Sequence, residues 1–358
     1  MRIPRREWLP AITVGLLVFT VAVGPADKCK ETVPCGENIQ CSGGTGPPNP
    51  PSGNPQAPPP ATTSHYISST SSGAMYNLGW DAAQNGEKGI IVLDFGQPWV
   101  SGGAYGTNLF DDPPTFVTLA QIRNLAVQFA AGYYDSSQTV LFQIGPVTIA
   151  IGTSNDQGSS GLSDSDYYQQ GSQWAAMVKD AWSDVQGSEI AAAITSVNAG
   201  IDIEMDFNTP ARTRAWVDGY DDYVGRRLYY NYGTASGCWT EGTNASDNGP
   251  CNDDWTQEDV WYVSYGQPSA FPLPEIYLND GANAKQWQQL SLYGYLHHGG
   301  RMVIKGAMTQ LGACQTVGCH PDEDNTPAQG WSQLYFWLRS DDRAWQNTLD
   351  WSTDITWE

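Results

Sequence analysis

The stretch Gly-Ile-Asp-Ile-Glu-Met-Asp-Phe, from Gly200 to Phe207, alternates apolar residues with the acids Asp202, Glu204 and Asp206. A period of two is typical of a β-strand, so the three carboxylates are predicted to project from one face and the apolar side chains from the other. Same-face neighbours lie roughly 6.5 to 7 Å apart, and like charges at that spacing raise a carboxyl pKa. The stretch therefore predicts a general acid, with an edge strand bearing a solvated acidic face as the alternative.

Strand and helix patterns alternate on both sides of this stretch. The apolar run from Gly89 to Phe95, which contains Asp94, is typical of a strand buried on both faces, and the run from Val147 to Ser154 predicts a second one. Further strands are predicted at 227–233, 259–265, 275–278 and 301–307, and helices at 118–131, 167–185 with an extension over 188–198, 211–225 and 284–296. About seven strands interleaved with helices predict the α/β class and a (β/α) TIM-type barrel, complete or incomplete. An open doubly wound sheet is the alternative, but no Gly-rich phosphate loop follows the first strand.

Three regions of the chain differ in composition. Residues 1–26 combine basic residues, an apolar run and small residues at a cleavage position, which predicts a signal peptide, or an uncleaved signal anchor as the alternative. Residues 27–63 hold three cysteines followed by a Pro/Gly-rich linker, and residues 64–358 are predicted to form the barrel domain. We therefore expect a secreted or extracellular protein, with tethering at the cell surface as the variant that an anchor would give.

The charge and the aromatic content limit the partners. A formal net charge of −21 excludes nucleic acid and anionic lipid surfaces, because both would repel the protein. The chain holds 15 Trp and 18 Tyr, more than a core alone needs, and such rings are common in carbohydrate-binding grooves. The expected partner is a polysaccharide or cell-wall glycan, with no membrane contact beyond an N-terminal anchor.

Seven cysteines in an exported chain predict disulfides. Their spacing predicts two local bridges, Cys238 to Cys251 and Cys314 to Cys319. The trio at positions 29, 35 and 41 would share one bridge and leave an odd thiol. A zinc site at Cys319 and His320 is disfavoured, because no second pair of ligands has the usual spacing.

Polar residues follow or end several of the predicted strands. In a parallel barrel the carboxyl ends of the strands form the active-site face, so these residues are predicted to converge there. The candidate catalytic residues are Glu204, Asp202, Asp206 and Asp94. The candidate substrate-binding residues are Asn155, Tyr230, Tyr232, Tyr265, Gln310 and Trp99. For each of them the alternative is structural, since a strand-end Asp often forms a turn and a strand Tyr often packs.

The segment Asp202-Ile203-Glu204 resembles the strand-end D-x-E of family 25 glycoside hydrolases, which are secreted lysozymes and relatives with a (β/α) barrel. Leu93-Asp94-Phe95 is placed like the Asp that closes the first strand in that family. The resemblance implies that Glu204 protonates the glycosidic oxygen, Asp202 positions or polarises the substrate, and Asp94 and Asp206 support them. The chain is also similar, more distantly, to glycoside-hydrolase-like barrels of unknown function in secreted bacterial proteins.

Other chemistries have weaker support in the sequence. The four histidines form no H-E-x-x-H motif, and no G-x-S-x-G elbow is present. Acidic and amide residues between 247 and 254 could bind calcium, but they are also ordinary turn formers. We therefore predict no metal and no cofactor.

Two functions remain as hypotheses. The first is an exported glycoside hydrolase that acts on cell-wall or other amino-sugar glycan, with Glu204 as the general acid. The second is a catalytically silent barrel that binds a glycan or a wall component at the end of a Pro-rich stalk. A purely structural surface protein would leave the acids of the stretch 200–207 unexplained.

Overall fold

A computed structural model describes residues 56–140, 145–154 and 161–358. The strands are β1 (Thr62–Tyr66), β2 (Gly89–Asp94), β3 (Gln97–Ser101), β4 (Ala104–Asn108), β5 (Phe116–Thr118), β6 (Val147–Ser154), β7 (Ile194–Asp202), β8 (Tyr229–Asn231), β9 (Ala270–Pro272), β10 (Gly306–Thr309) and β11 (Trp351–Trp357). The α-helices are α1 (Ser72–Gln84), α2 (Leu119–Ser137), α3 (Asp164–Gln186), α4 (Pro210–Asp222), α5 (Gln257–Trp261), α6 (Ala282–His298), α7 (Leu311–Val317) and α8 (Pro327–Leu338).

Eight strands form one parallel sheet in the order β10-β11-β1-β2-β6-β7-β8-β9. The ends of that order meet through the residues after β9. Glu275 pairs in parallel with Met308 of β10, and the Met308 N–H donates to the Pro274 carbonyl at 2.9 Å. The sheet is therefore a nearly closed barrel with flanking helices, and the predicted α/β class and TIM-type barrel are confirmed. Strands β3, β4 and β5 form a separate antiparallel sheet after β2.

Residues of the barrel strands alternate between the helix layer and the barrel interior. On β2, Ile91 and Leu93 belong to the large core under the helices, whereas Ile90 and Val92 belong to a small core inside the barrel. This period of two places the next residue of the same parity, Asp94, at the interior end of the strand. The same rule decides which strand-end residues can meet one another.

The strand predicted at 259–265 is wrong. This segment forms α5 and a π-helical turn, Tyr262–Gly266. The Asp259 carboxylate accepts from the Thr256 N–H at 3.0 Å, and the Thr256 hydroxyl accepts from the Asp259 N–H at 3.3 Å. This reciprocal cap starts a helix, and it outweighs the alternating pattern of the residues that follow.

The helical extension predicted at 188–198 is also wrong. A short 3₁₀ segment, Glu189–Ala192, ends before β7 begins at Ile194. Strand β7 is central in the sheet, since it pairs with both β6 and β8. Its many small residues weakened the strand pattern that an apolar run would have given.

Strands β1, β9 and β11 were not predicted; in β1 and β11 polar interior residues such as Ser64 and Thr353 hid the pattern. The Ser64 and Thr353 hydroxyls hydrogen-bond each other at 2.7 Å inside the barrel, and the Ser64 oxygen accepts from the Val92 N–H at 2.8 Å. Strand β1 also begins at Thr62, inside the segment predicted as linker. The strand predicted at 301–307 begins later than expected: the observed strand, β10, covers Gly306–Thr309.

Both predicted bridges, Cys238 to Cys251 and Cys314 to Cys319, are present. They fit the oxidising environment outside a cell. The predicted signal segment, most of the linker and the cysteine trio at 29, 35 and 41 lie outside the described residues. Within the described ranges, none of the helices has the length and apolarity that a bilayer-spanning segment requires.

Candidate active site

Strand β7 brings the acidic stretch to the carboxyl-terminal end of the barrel, here called the C-terminal mouth. Asp202 is the last residue of β7 and pairs with Ser154, the last residue of β6. Asp94 ends β2 and pairs with Tyr66 at the end of β1. Four adjacent strands therefore end together, and their interior side chains meet at this mouth.

The strand predicted over 200–207 is correct only as far as Asp202. Met205 to Phe207 form a 3₁₀ turn, so the three acids do not continue along one strand face. Asp202 is buried, Glu204 is half-buried and Asp206 is exposed. Burial, then the side chain and charge of Asp253, raise the pKa of Asp206. The turn therefore takes Asp206 off the buried strand face, although its charge still acts on Glu204.

The Asp94 side chain is fully buried, and its carboxylate accepts hydrogen bonds from two groups. Its Oδ1 accepts from the Gly96 N–H at 2.9 Å, and its Oδ2 accepts from the Ser154 hydroxyl at 2.7 Å. Burial nevertheless dominates and raises the pKa of Asp94 to about 6. Asp94 is held in place by its donors and titrates near neutral pH.

Asp202 and Glu275 form a buried carboxyl pair. Glu275 follows β9, and its Oε1 accepts from the Tyr277 hydroxyl at 3.0 Å. Burial raises the pKa of both acids well above their ordinary values, and the charge of Glu204 adds to the shift in each. The Asp202 Oδ1 is buried and has no hydrogen-bond partner. Burial and the proximity of the two carboxyls therefore both disfavour the state in which Asp202 and Glu275 are ionised together.

Glu204 lies beside this pair at the more open side of the mouth. One carboxylate oxygen from each of Asp202, Glu204 and Glu275 lies within 4.8 Å of the other two. Burial, followed by the charges of Asp206 and Asp94, raises the pKa of Glu204 to about 7. A half-buried carboxyl that holds its proton near neutral pH has the properties that a general acid requires.

Aromatic rings border the acids on the β1 side. The Tyr66 and Trp357 rings lie 4.4 Å apart between centroids, and Phe110 packs edge-on against both at 5.1 and 5.3 Å. Burial and then the charge of Asp202 raise the pKa of the Tyr66 phenol well above its ordinary value. We call Tyr66, Phe110 and Trp357 the aromatic cluster. It adjoins the acids and offers ring faces of the kind that bind sugars.

Two glycines make room for Tyr232 at this mouth. A Cβ on Gly200 would lie 2.7 Å from the Tyr232 ring, and a Cβ on Gly152 would lie 3.1 Å from its Cζ. The ring therefore covers both glycines, and its hydroxyl lies near Asp94 without making a hydrogen bond of normal geometry. Tyr232 is thus one of the predicted substrate-binding residues that the barrel does bring to the acids.

Other predicted substrate-binding residues lie elsewhere. The Tyr230 hydroxyl accepts from Asn198 Nδ2 at 3.1 Å and the Tyr230 ring packs against Trp351, which starts β11, so it belongs to the opposite end of the barrel. Tyr265 precedes β9, and its ring packs against that of Phe271, which lies within β9, with the ring centroids 6.0 Å apart.

The remaining three candidates were Gln310, Trp99 and Asn155. Gln310 lies between β10 and α7, on the side of the C-terminal mouth, and its side chain makes no capping bond to the helix. Trp99 is half-buried on β3, in the small antiparallel sheet. Asn155 lies outside the described residues.

Sequence reasoning missed Glu275, Tyr277 and the aromatic cluster. The signal for Glu275 and Tyr277 was a short period of two, Glu-Ile-Tyr, after the Pro-rich segment at 272–274. Tyr66 and Trp357 end strands whose polar interiors hid them. A strand-end rule could have found these residues only after β1, β9 and β11 were known.

A divalent cation is the other species that this geometry could hold. Within the described ranges, Asp202, Glu204 and Glu275 are the group of acids, cysteines or histidines close enough to share one. The acids of the loop at 247–254 do not form such a group. Carboxylate oxygens suit Mg²⁺ or Ca²⁺, so any assay of this site has to control for both ions.

Comparison with known proteins gives no match, whether with family models, with curated proteins or with solved structures. The resemblance to family 25 glycoside hydrolases therefore rests on Asp94, Asp202 and Glu204 alone.

Proposed function

We propose that this protein is an exported glycoside hydrolase that acts on cell-wall or other amino-sugar glycan, with Glu204 as the general acid. The observation that carries the proposal is the place of Glu204: half-buried at the C-terminal mouth, with its pKa raised to about 7 beside the Asp202–Glu275 pair. Catalytic residues of (β/α) barrels lie at this end of the strands.

The chemistry follows from the protonation of these groups. Glu204 donates its proton to the glycosidic oxygen as the bond from the anomeric carbon to that oxygen breaks, and the leaving sugar departs as an alcohol. Positive charge then develops on the remaining sugar. The carboxyl oxygens of Asp202 and Glu275 lie next to Glu204, and their negative charge or dipoles stabilise that developing charge. Water adds to the anomeric carbon, and its proton returns to the Glu204 carboxylate.

The substrate class is proposed from three features. Asp94, Asp202 and Glu204, which carry the resemblance to family 25, all lie at the same mouth. The aromatic cluster borders that mouth and offers ring faces to a sugar. The predicted signal segment and the two disulfides are consistent with a substrate outside the cell.

The second candidate is a catalytically silent glycan-binding module. The aromatic cluster favours it, because Tyr66, Phe110 and Trp357 would hold a glycan whether or not a bond is cleaved. The acids would then serve only to accept hydrogen bonds from sugar hydroxyls.

The test uses the full-length protein with peptidoglycan and with chitin oligosaccharides, in buffer containing EDTA and, in parallel, Mg²⁺ or Ca²⁺. We expect new reducing ends between about pH 4 and pH 8, because Glu204 has to be protonated. Glycan affinity without reducing ends in any buffer would reject the hydrolase in favour of the binding module. Neither affinity nor turnover would reject both.

A further inference from the structure

A cavity lies at the opposite, amino-terminal end of the barrel. It has a volume of about 520 Å³, and its wall includes residues from the amino-terminal parts of β6, β7, β8 and β11 and the segment just before β8. None of the acids of the C-terminal mouth lines it. We call it the N-terminal cavity.

The wall of this cavity contains a buried carboxamide that lacks one partner. Asn198 is only 2% exposed, and its Nδ2 donates to the Ser196 hydroxyl at 3.0 Å and to the Tyr230 hydroxyl at 3.1 Å. Its Oδ1 is buried and has no hydrogen-bond partner. Turning the carboxamide over would satisfy the oxygen and leave the nitrogen unpaired. One polar atom of Asn198, a residue of the cavity wall, therefore lacks a hydrogen-bond partner from the protein.

Two neighbouring arginines of the wall differ in their pairing. Arg226 is held by Asp221 through two bonds of 2.9 and 3.0 Å, so its charge is neutralised. Arg227 donates from Nε to the Val197 carbonyl at 2.9 Å and stacks on Trp182. In the described part of the chain, no carboxylate forms an ion pair with Arg227. Arg227 therefore supplies a cation that has no counter-charge from the protein.

We propose that the N-terminal cavity binds a small hydroxycarboxylate. The ligand's carboxylate would pair with Arg227, and one of its hydroxyls would donate to the free Asn198 oxygen. The Thr148 and Ser196 hydroxyls on the same wall can donate or accept further bonds, and Tyr230 and Trp351 supply an apolar side. A site that combines one cation with several neutral polar groups and aromatic rings matches this chemistry.

The test is a calorimetric titration of the full-length protein with D-gluconate, and with sorbitol as the uncharged polyol of matched length. Both probes are acyclic, which separates them from a glycan bound at the other mouth. We expect saturable binding of gluconate and none of sorbitol. Absence of gluconate binding at about 10 mM, where a millimolar site would be mostly filled, would overturn the proposal.

Two variants locate the binding. Arg227→Gln keeps a donor for the Val197 carbonyl and should weaken gluconate binding by about 10-fold or more, as expected for loss of a charge-assisted bond. Asn198→Asp keeps the side-chain size but adds a negative charge, and should abolish binding. Wild-type affinity in either folded variant would overturn the proposal. If Asn198→Asp does not fold, Arg227→Gln alone decides.

The control is Arg212→Gln, which removes the same charge from a half-buried position in the first turn of α4, at the other end of the barrel. Its affinity for gluconate should equal that of the wild type. Glu204→Gln should also leave gluconate affinity unchanged. Loss of binding in Arg212→Gln would show that only net charge matters, and would overturn the proposal.

Discussion

The two ends of the barrel enclose the same interior but differ in their polar groups. At the C-terminal mouth, acids lie beside acids, and burial raises the pKa of Asp94, Asp202, Glu204 and Glu275. At the N-terminal cavity, neutral amides and hydroxyls accompany a cation, Arg227. Like charges confined together destabilise a fold, so their presence at one end is a feature that function explains better than stability.

The acid Asp354, on the helix-facing side of β11, shows what a structural carboxylate in this barrel looks like. Its oxygens accept from the Leu311 N–H at 2.9 Å and the Gly312 N–H at 2.7 Å, so it caps the start of α7. Asp202 has an oxygen without any donor. The difference between these two acids separates an acid that holds the fold together from an acid that is kept for a ligand or a proton.

The largest expected effect is on turnover. Glu204→Gln keeps the shape of the side chain but removes the proton that the leaving oxygen requires, so we expect glycan cleavage to fall by roughly 10²- to 10⁴-fold with little change in glycan affinity. The matched control is Glu189→Gln, at an exposed position in the 3₁₀ segment before β7 and away from the C-terminal mouth, which should retain full activity. Unchanged turnover in folded Glu204→Gln would remove the C-terminal mouth as the active site.

The second effect is on stability and concerns the space beside Gly152 that the Tyr232 side chain occupies at the C-terminal mouth. Gly152→Ala places a methyl group 3.2 Å from the Asp94 Cα and in conflict with the Tyr232 hydroxyl. We expect a loss of about 1 to 3 kcal/mol in the free energy of unfolding, because a packed interior cannot yield. Gly300→Ala is the control, since a Cβ there would meet nothing within 4 Å. Urea denaturation of both variants measures the difference, and equal stabilities would contradict the packing described here.

The third effect is the pH dependence of stability at the C-terminal mouth. Folding raises the pKa of Asp94 from 3.8 to about 6 and that of Glu204 from 4.5 to about 7. The folded state therefore binds more protons than the unfolded state between these pKa values. The stability that this proton binding contributes is fully present below about pH 4 and is lost as the pH rises through 6 to 7. When the pH is raised from about 4 to about 8, we expect the free energy of unfolding to fall less in Glu204→Gln than in the wild type, by on the order of 2 kcal/mol.

Thermal unfolding of the two proteins across that range measures this difference, with EDTA present to exclude a bound cation. Arg227→Gln, at the other end of the barrel, should follow the wild-type profile. Parallel profiles for the wild type and Glu204→Gln would mean that Glu204 does not titrate at an abnormal pH.

The smallest effect compares one tyrosine from each end. Tyr230→Phe removes the acceptor of the 3.1 Å bond from Asn198 and should cost about 1 kcal/mol. Tyr232→Phe removes a hydroxyl that has no normal hydrogen bond, and should change stability by less than about 0.5 kcal/mol. Chemical denaturation of the pair measures both values. A larger loss in Tyr232→Phe would show that its hydroxyl bonds to Asp94 in solution.

Several features were predictable from local patterns. The apolar runs of β2 and β6 mark buried strands, and Asp94 ends its strand as expected, because a period of two and the rule for strand ends are local. The disulfides followed from the short spacing between cysteines in a chain with a predicted signal segment.

The sequence by itself determined the alternation of strands and helices, and hence the barrel, because hydrophobic periodicity is carried by neighbouring residues. Only the tertiary structure decided that Glu275 pairs with Asp202 and that Tyr66 and Trp357 border the same mouth. It also decided that Tyr230 and Tyr232, two residues apart, serve opposite ends of the barrel. The physical reason is that these contacts depend on strand register and on the space left by residues far away in the chain, which no local pattern records.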